Sequence, residues 1–297
     1  MSRRPFTTLD VFTERRFTGN PLAVVHDGAG LDTGVMQAVA REFNLPETVF
    51  VLPPNEPGHR ARVRIFTPAR ELPFAGHPTV GTAVVLALRD GLAEGEIVLE
   101  QGIGPVRCRV DGCRRDHGHA GFELARLPEA VGPEPDRNTL AAALGLAPGD
   151  IGYAGFSPAI WSAGNPFLFV PVNGLAAIAR ARPDMAHWDA AAAGAIGVFL
   201  FCGETADRRH AFRARMFAPQ SGITEDPATG SAAAAFAGLL ARDAGLPDGS
   251  HQFGIEQGYE MGRPSLISLA FTSRGGAVAQ ASIAGHAVVA SEGTIEA

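Results

Sequence analysis

The sequence predicts an α+β protein built of two similar halves, each mostly strand with one very apolar helix. Three observations carry this. Two stretches recur in the same order about half the chain apart: FTGNPLAVV at 17–25 returns as SAGNPFLFV at 162–170, and HPTVGTA at 77–83 returns as DPATGSA at 226–232. Each of the second pair is preceded by a short extended segment, VRIFTP or ARMFAP, and followed by an apolar helical stretch, AVVLALRDG or AAAAFAGLLARDAG. Finally, Gly 36 and Pro 22 imply more turns than a helical bundle needs.

In chain order, 7–12 and 22–25 read as strands. Residues 32–43 read as an amphipathic helix: Val35, Met36, Val39 and Phe43 share one face, and Asp32 suits the cap. Pro46 stops that helix and TVFVL, 48–52, follows as a strand. Segments 62–66 and 106–110 alternate charged and apolar residues, as half-buried strands do. CRRDHGHA, 113–120, lacks zinc-ligand spacing and reads as a solvated hairpin tip between VRCRV and FEL. Pro78 and Pro227 suit a first helical turn, which makes His77 and Asp226 the expected N-caps, and Gly91 and Gly245 end the helices. A helix apolar all round is buried, so strands are expected to wrap each one. The acidic, Pro-rich LPEAVGPEPD at 127–136 reads as the linker, giving domains 1–126 and 127–297. Whether the last strands, 281–290, complete the second domain or return to the first is left open.

Composition excludes several classes. The net charge is -6 with no basic face for nucleic acid and no polybasic stretch for a membrane surface. The longest uncharged apolar run, 190–203, is too short to span a bilayer, and the first residues lack the apolar core of a signal peptide. Three cysteines without a C-x-x-C pair point to a reduced, cytoplasmic protein. All 25 basic residues are Arg, so Schiff-base chemistry and the Walker-type phosphate loop, both of which need Lys, are excluded. The serine-hydrolase elbow and the G-x-G-x-x-G dinucleotide signature are absent as well.

What remains is the pair of helix starts. A helix N-terminus offers unpaired N–H groups and partial positive charge, a natural carboxylate or phosphate site. Gly81, Gly230 and the hydroxyls of Thr82 and Ser231 would let a ligand approach the backbone, and Gly76 does the same just before His77. If the halves face each other, His77 and Asp226 flank one cleft. Glu47, between a helix stop and a strand, is the third candidate. Alone, Asp-Pro is an ordinary cap and Glu47 an ordinary solvated carboxylate. The duplication weighs against that, because capping needs no partner in the other half.

These residues carry a resemblance. DVFTERRFTGNPLAVV, LPETVFV, IFTPARELPFAGHPTVGTA, MFAPQSGITEDPATGSA and QGYEMGRPS stand in family order over nearly the whole chain. The chain resembles the phenazine-biosynthesis isomerase (PhzF-like) family, within the wider diaminopimelate epimerase fold group. The resemblance implies two pseudo-symmetric domains, each a curved, mostly antiparallel sheet about a central helix, with the active site between them. It also implies a homodimer and no cofactor, and no metal is expected, since CRRDHGHA lacks zinc-ligand spacing. It makes Glu47 the acid/base residue, with His77 and Asp226 orienting substrate or assisting proton transfer, and Gly76, Gly230 and Ser231 at substrate contacts. The implied activity is a proton-shifting isomerase for a small carboxylate-bearing substrate, such as dihydro-hydroxyanthranilate. A non-catalytic binding or interaction protein on the same scaffold is the alternative. Two departures stand out. The wider group's paired cysteines are replaced by Ala75 and Pro227, so two-base cysteine racemisation is not expected, and Pro46 stands where the family often has Ser.

Overall fold

The computed structural model describes residues 2–133, 135–192 and 194–297, without the side chain of Ser221. Glu134, within the expected linker, and Ala193, within the apolar run 190–203, lie outside the described residues. The first elements are β1 (Arg3–Val11), β2 (Asn20–Val25), α1 (Thr33–Phe43), β3 (Glu47–Leu52), β4 (Ala61–Phe66), β5 (Glu71–Leu72), α2 (Gly76–Asp90), β6 (Gly95–Gln101), β7 (Gly104–Arg114) and β8 (His117–Glu123). Then come β9 (Glu129–Ala130), α3 (Arg137–Leu144), β10 (Ala159–Ser162), β11 (Pro166–Pro171), α4 (Gly174–Arg180), α5 (Met185–Ala192) and β12 (Gly197–Cys202). The chain continues through β13 (Phe212–Ala218), β14 (Ile223–Asp226), α6 (Gly230–Asp243), β15 (Gly249–Gln257), β16 (Ser265–Arg274) and β17 (Ala277–Glu296). Contacts divide these into one unit of Met1–Glu123 with Ala284–Ala297 and another of Leu124–Ile283.

In the first unit β1 pairs with both β2 and the end of β17, and the ladder runs on through β3, β4, β6, β7 and β8. Two joints are parallel, β2–β3 and β4–β6, and each is bridged by a helix, α1 or α2, because parallel neighbours need a crossover. Asp32 caps α1 by accepting from the Val35 amide at 2.8 Å, and Met36, Val39 and Ala40 are buried in a cluster with Val25, Phe50 and Phe66. This second core explains why β3 reads as a continuous apolar run rather than an alternation. Helix α2 is buried from Gly76 through Ala87 and touches β1, β2, β3, β6, β7 and β8.

The second unit repeats that order of pairings. Strands β9, β10 and β11 are antiparallel, β11–β12 is parallel, β12–β13 antiparallel, β13–β15 parallel and β15–β16 antiparallel. Gly275 and Gly276, both at positive φ, supply the tight turn into β17. Helix α6 is buried from Ala232 through Ala241, its alanines leaving room for strands to approach. Gly238 is the tightest point: a Cβ there would run into the indole ring of Trp161 and lie 2.9 Å from Pro128. Gly238→Ala is expected to cost about 1–3 kcal/mol, despite alanine's better helix propensity, because a packed ring must move. A urea midpoint no lower than wild type would contradict that packing argument.

Both long helices start elsewhere than the prolines suggest. Ala75 is the N-cap of α2, so His77 lies inside the first turn, and Thr229 is the N-cap of α6, so Asp226 ends β14 before the helix begins. Proline is tolerated throughout a first turn, whose N–H groups have no intrahelical partner, so it does not fix the register. Gly81 also departs from expectation. A Cβ there would meet Leu22 at 2.6 Å and Val11 at 2.8 Å, so its missing side chain admits β1 and β2 rather than a ligand. Segment 113–120 spans the β7–β8 hairpin tip. Among the described residues no helix is long and apolar enough to cross a membrane.

Candidate active site

Glu47 opens β3, aligned in the parallel ladder with Leu22 of β2. Gly76 and His77 are the first two residues of α2. The fold thereby brings Glu47 and His77 together, Oε2 to Nε2 at 3.3 Å, with only 13% and 6% of their side chains exposed. The pair is close but lacks hydrogen-bond alignment, and Nε2 has no hydrogen-bond partner. The other ring nitrogen bonds the Pro21 carbonyl, while burial pushes the imidazole down to about 3. His77 is therefore neutral, with its proton committed to Pro21 and its unprotonated Nε2 beside the carboxyl at 3.3 Å. The first Gly-Asn-Pro copy serves this geometry. Gly19 adopts φ +67° where a Cβ would lie against the Val11 carbonyl, and the turn presents Pro21 to the ring.

The second unit supplies Asp226, Gly230 and Ser231. Asp226 is buried at the end of β14, and its Oδ2 accepts from the Thr229 hydroxyl at 2.5 Å. Gln257, at the end of β15, donates from Nε2 to the Asp226 backbone oxygen (2.7 Å) and to Thr229 Oγ1 (3.0 Å), and accepts from the Thr229 amide at 3.1 Å. Gly230 is buried and Ser231 half-buried in the first turn of α6. The neighbouring Glu225 is occupied otherwise: Arg215 holds it with a two-pronged ion pair at 2.7 and 2.8 Å while bonding the Ile178 and Ala181 carbonyls. Among the described residues no group of three or more His, Cys, Asp or Glu is arranged to hold a metal. Two cavities of about 550 Å³ open on the first unit, but no candidate residue lines either, and their Arg60 and Arg107 already pair with Asp90 and Glu96.

Sequence reasoning missed Gln257 and its counterpart Gln101, which donates to Thr79 Oγ1 at 2.9 Å in α2. A signal existed: Leu-Glu-Gln-Gly at 99–102 returns as Ile-Glu-Gln-Gly at 255–258.

Burial of histidine has a consequence for stability. An unfolded His takes up its proton near 6.5, whereas the buried His77 does so only near 3 and the half-buried His26 near 4. Between those values the unfolded chain binds more protons, so stability present above pH 6.5 is lost as pH falls, by about 1.4 kcal/mol per pH unit for each group. Urea midpoints should be flat above neutrality and decline below it, with a shallower decline in His77→Gln. An equal slope in that variant would refute the assignment to His77.

Comparison with known proteins agrees over the full length. The phenazine biosynthesis-like (PhzC-PhzF) family matches residues 9–293. An uncharacterized isomerase of Mesorhizobium japonicum is 50% identical over 99% of both chains. The trans-2,3-dihydro-3-hydroxyanthranilate isomerase of Pseudomonas aeruginosa is 36% identical over 97% of this chain and 98% of that one. Among solved structures, the phenazine biosynthesis protein of the PhzF family from Bacillus anthracis superposes with a TM-score of 0.89 at 26% identity, covering all of both chains. With a sheet-rich α+β fold and isomerases among its full-length relatives, this chain is an isomerase and belongs to the phenazine biosynthesis-like, PhzF-type family.

Proposed function

We propose that the chain is a cofactor-independent isomerase that shifts a proton on a small carboxylate-bearing substrate of the trans-2,3-dihydro-3-hydroxyanthranilate type. Glu47, as carboxylate, takes a proton from one carbon and returns it to another. The observation that carries the reading is the Glu47–His77 contact at 3.3 Å. Once Glu47 holds the substrate's proton, its O–H faces the Nε2 lone pair of a neutral imidazole, which accepts it and keeps the proton on the enzyme between the two transfers. A charged imidazole would instead favour the carboxylate and make the return step harder.

In this reading the starts of α2 and α6 hold the substrate carboxylate through backbone N–H groups at Gly76 and Gly230 and the Ser231 hydroxyl. Asp226 orients the substrate or passes on a proton. The arrangement takes the halves as pseudo-symmetric domains, each a curved sheet about its central helix, serving one cleft. The duplicated helix-start motifs support it. A homodimer in the cytoplasm completes the proposal, and the three free, buried cysteines suit a reducing compartment.

Proton NMR in deuterated buffer with trans-2,3-dihydro-3-hydroxyanthranilate tests the reading. Deuterium entering the ring at an enzyme-dependent rate supports it. Binding without exchange would remove this substrate's isomerisation and favour a binding role.

A further inference from the structure

The Glu-Gln-Gly step is duplicated in sequence, and in both copies the glutamate holds a turn and the glutamine reaches a helix start. At the end of β6, the Glu100 carboxylate receives the Asn55 and Glu56 amides at 2.8–3.0 Å and His59 Nδ1 at 2.9 Å. At the end of β15, Glu256 receives the Ala206 and Asp207 amides at 2.8 and 2.9 Å and His210 Nδ1 at 2.8 Å. Each glutamate thus fixes the turn that feeds the second strand before the long helix, β4 in one unit and β13 in the other.

The next residue reaches the helix start itself. Gln101 donates to Thr79, whose hydroxyl donates to the Ala75 carbonyl at 2.7 Å, the N-cap of α2. Gln257 makes three bonds, to the Asp226 carbonyl and to the hydroxyl and amide of Thr229, the N-cap of α6. The glycine then lets the approach loop lie on the strand end. A Cβ on Gly102 would meet Pro73 Cα at 2.8 Å, and one on Gly258, at φ +77°, would meet the Pro227 carbonyl at 2.6 Å.

We infer that Gln257 is a positioning residue for Asp226 and the start of α6, with Gln101 in the same role for the start of α2; the link to catalysis rests on the function proposed above. Thr229 is the relay. Its hydroxyl accepts from Gln257 and donates to the Asp226 carboxylate, so the amide sets the direction of a hydrogen bond that orients that carboxyl group. Simple anchoring of a loop would need one of these bonds. The three together hold the backbone oxygen, the hydroxyl and the N-cap amide at once.

Gln257→Met keeps length and volume and removes all three bonds, whereas Gln257→Glu keeps the acceptor for the Thr229 amide and loses both donors. Hydrogen exchange followed by mass spectrometry, with no substrate, should show faster exchange confined to peptides over 226–236 in both variants, and over 75–83 in Gln101→Met. With the dihydro-hydroxyanthranilate assay, Gln257→Met should lose 10- to 100-fold in turnover, the penalty for a misplaced group. Added to Asp226→Asn it should lose little more, since the two act through one carboxylate. Additive losses, or exchange at 226–236 equal to wild type, would overturn the inference, as would failure of both Gln257 variants to fold. If wild type does not turn the substrate over, the proposed activity fails and the exchange experiment alone decides the positioning role.

Discussion

Glu47→Gln should lower turnover by on the order of 10²–10⁴ while leaving substrate binding within a few-fold of wild type. The substitution keeps the length and one oxygen of the side chain and removes its capacity to carry a proton. Glu47 opens β3 beside Leu22 and β3 is buried along its length, so the backbone has little reason to move. The amide would present either N–H or oxygen to His77 Nε2, and the N–H suits that lone pair, so His77 should stay neutral and in place. Deuterium exchange into substrate measures turnover, and titration under the same conditions measures binding. A variant retaining a tenth or more of wild-type turnover would remove Glu47 as the proton carrier. Parallel loss of binding would make it a substrate ligand instead.

Phe236→Ala is expected to be the most damaging single truncation in the second unit, costing about 3–5 kcal/mol. Phe236 is fully buried on α6, and four rings surround it: Phe169, Phe199, Phe201 and Phe212, with centroids 5.5, 5.7, 4.7 and 5.1 Å away. One turn before it stand Ala232 and Ala233, too small to lean into the space left behind, and one turn after it Leu239 and Leu240 are already packed in the core. The four rings sit on β11, β12 and β13, whose ladder bonds resist collapse toward the helix. Such a loss is a large share of the about 5–15 kcal/mol that holds an ordinary domain together. Urea unfolding reads it directly. A cost below about 1.5 kcal/mol would mean that the rings repack and that α6 is held by its alanine contacts alone.

The parts of this architecture written in local pattern are legible in the sequence. The Asp32 cap, the apolar face of α1, the TVFVL strand and the two all-apolar helices each follow from residues within a dozen positions of one another. The helix starts are less so. His77 and Asp226 were natural N-caps by their prolines, but caps are fixed by where the backbone bonds go. At the start of α6 those bonds run to Gln257 on β15, and at the start of α2 a bond runs from Gln101 on β6. Gly81 illustrates the same limit, since a glycine before a ligand and one under a strand look alike until Leu22 and Val11 are seen against it. The Glu47–His77 contact depends on the parallel joining of β2 and β3, which no local periodicity encodes. Only repetition reached across such distances, and the Glu-Gln-Gly copy shows that it held more than the two longer repeats.

The last strand is shared between the units: β17 starts in the second, and from Ala284 onward it belongs to the first, where Ala287 to Glu296 pair with Val11 to Arg3. During synthesis on the ribosome, β1 is therefore made long before the segment that completes its second edge. Residues of β1 emerge far ahead of Ala287–Glu296, so one of their two edges stays open until that stretch leaves the exit tunnel. Order of assembly and order of translation run in opposite senses, and the nascent N-terminal portion must wait with an unpaired edge, the condition under which strands of neighbouring chains associate.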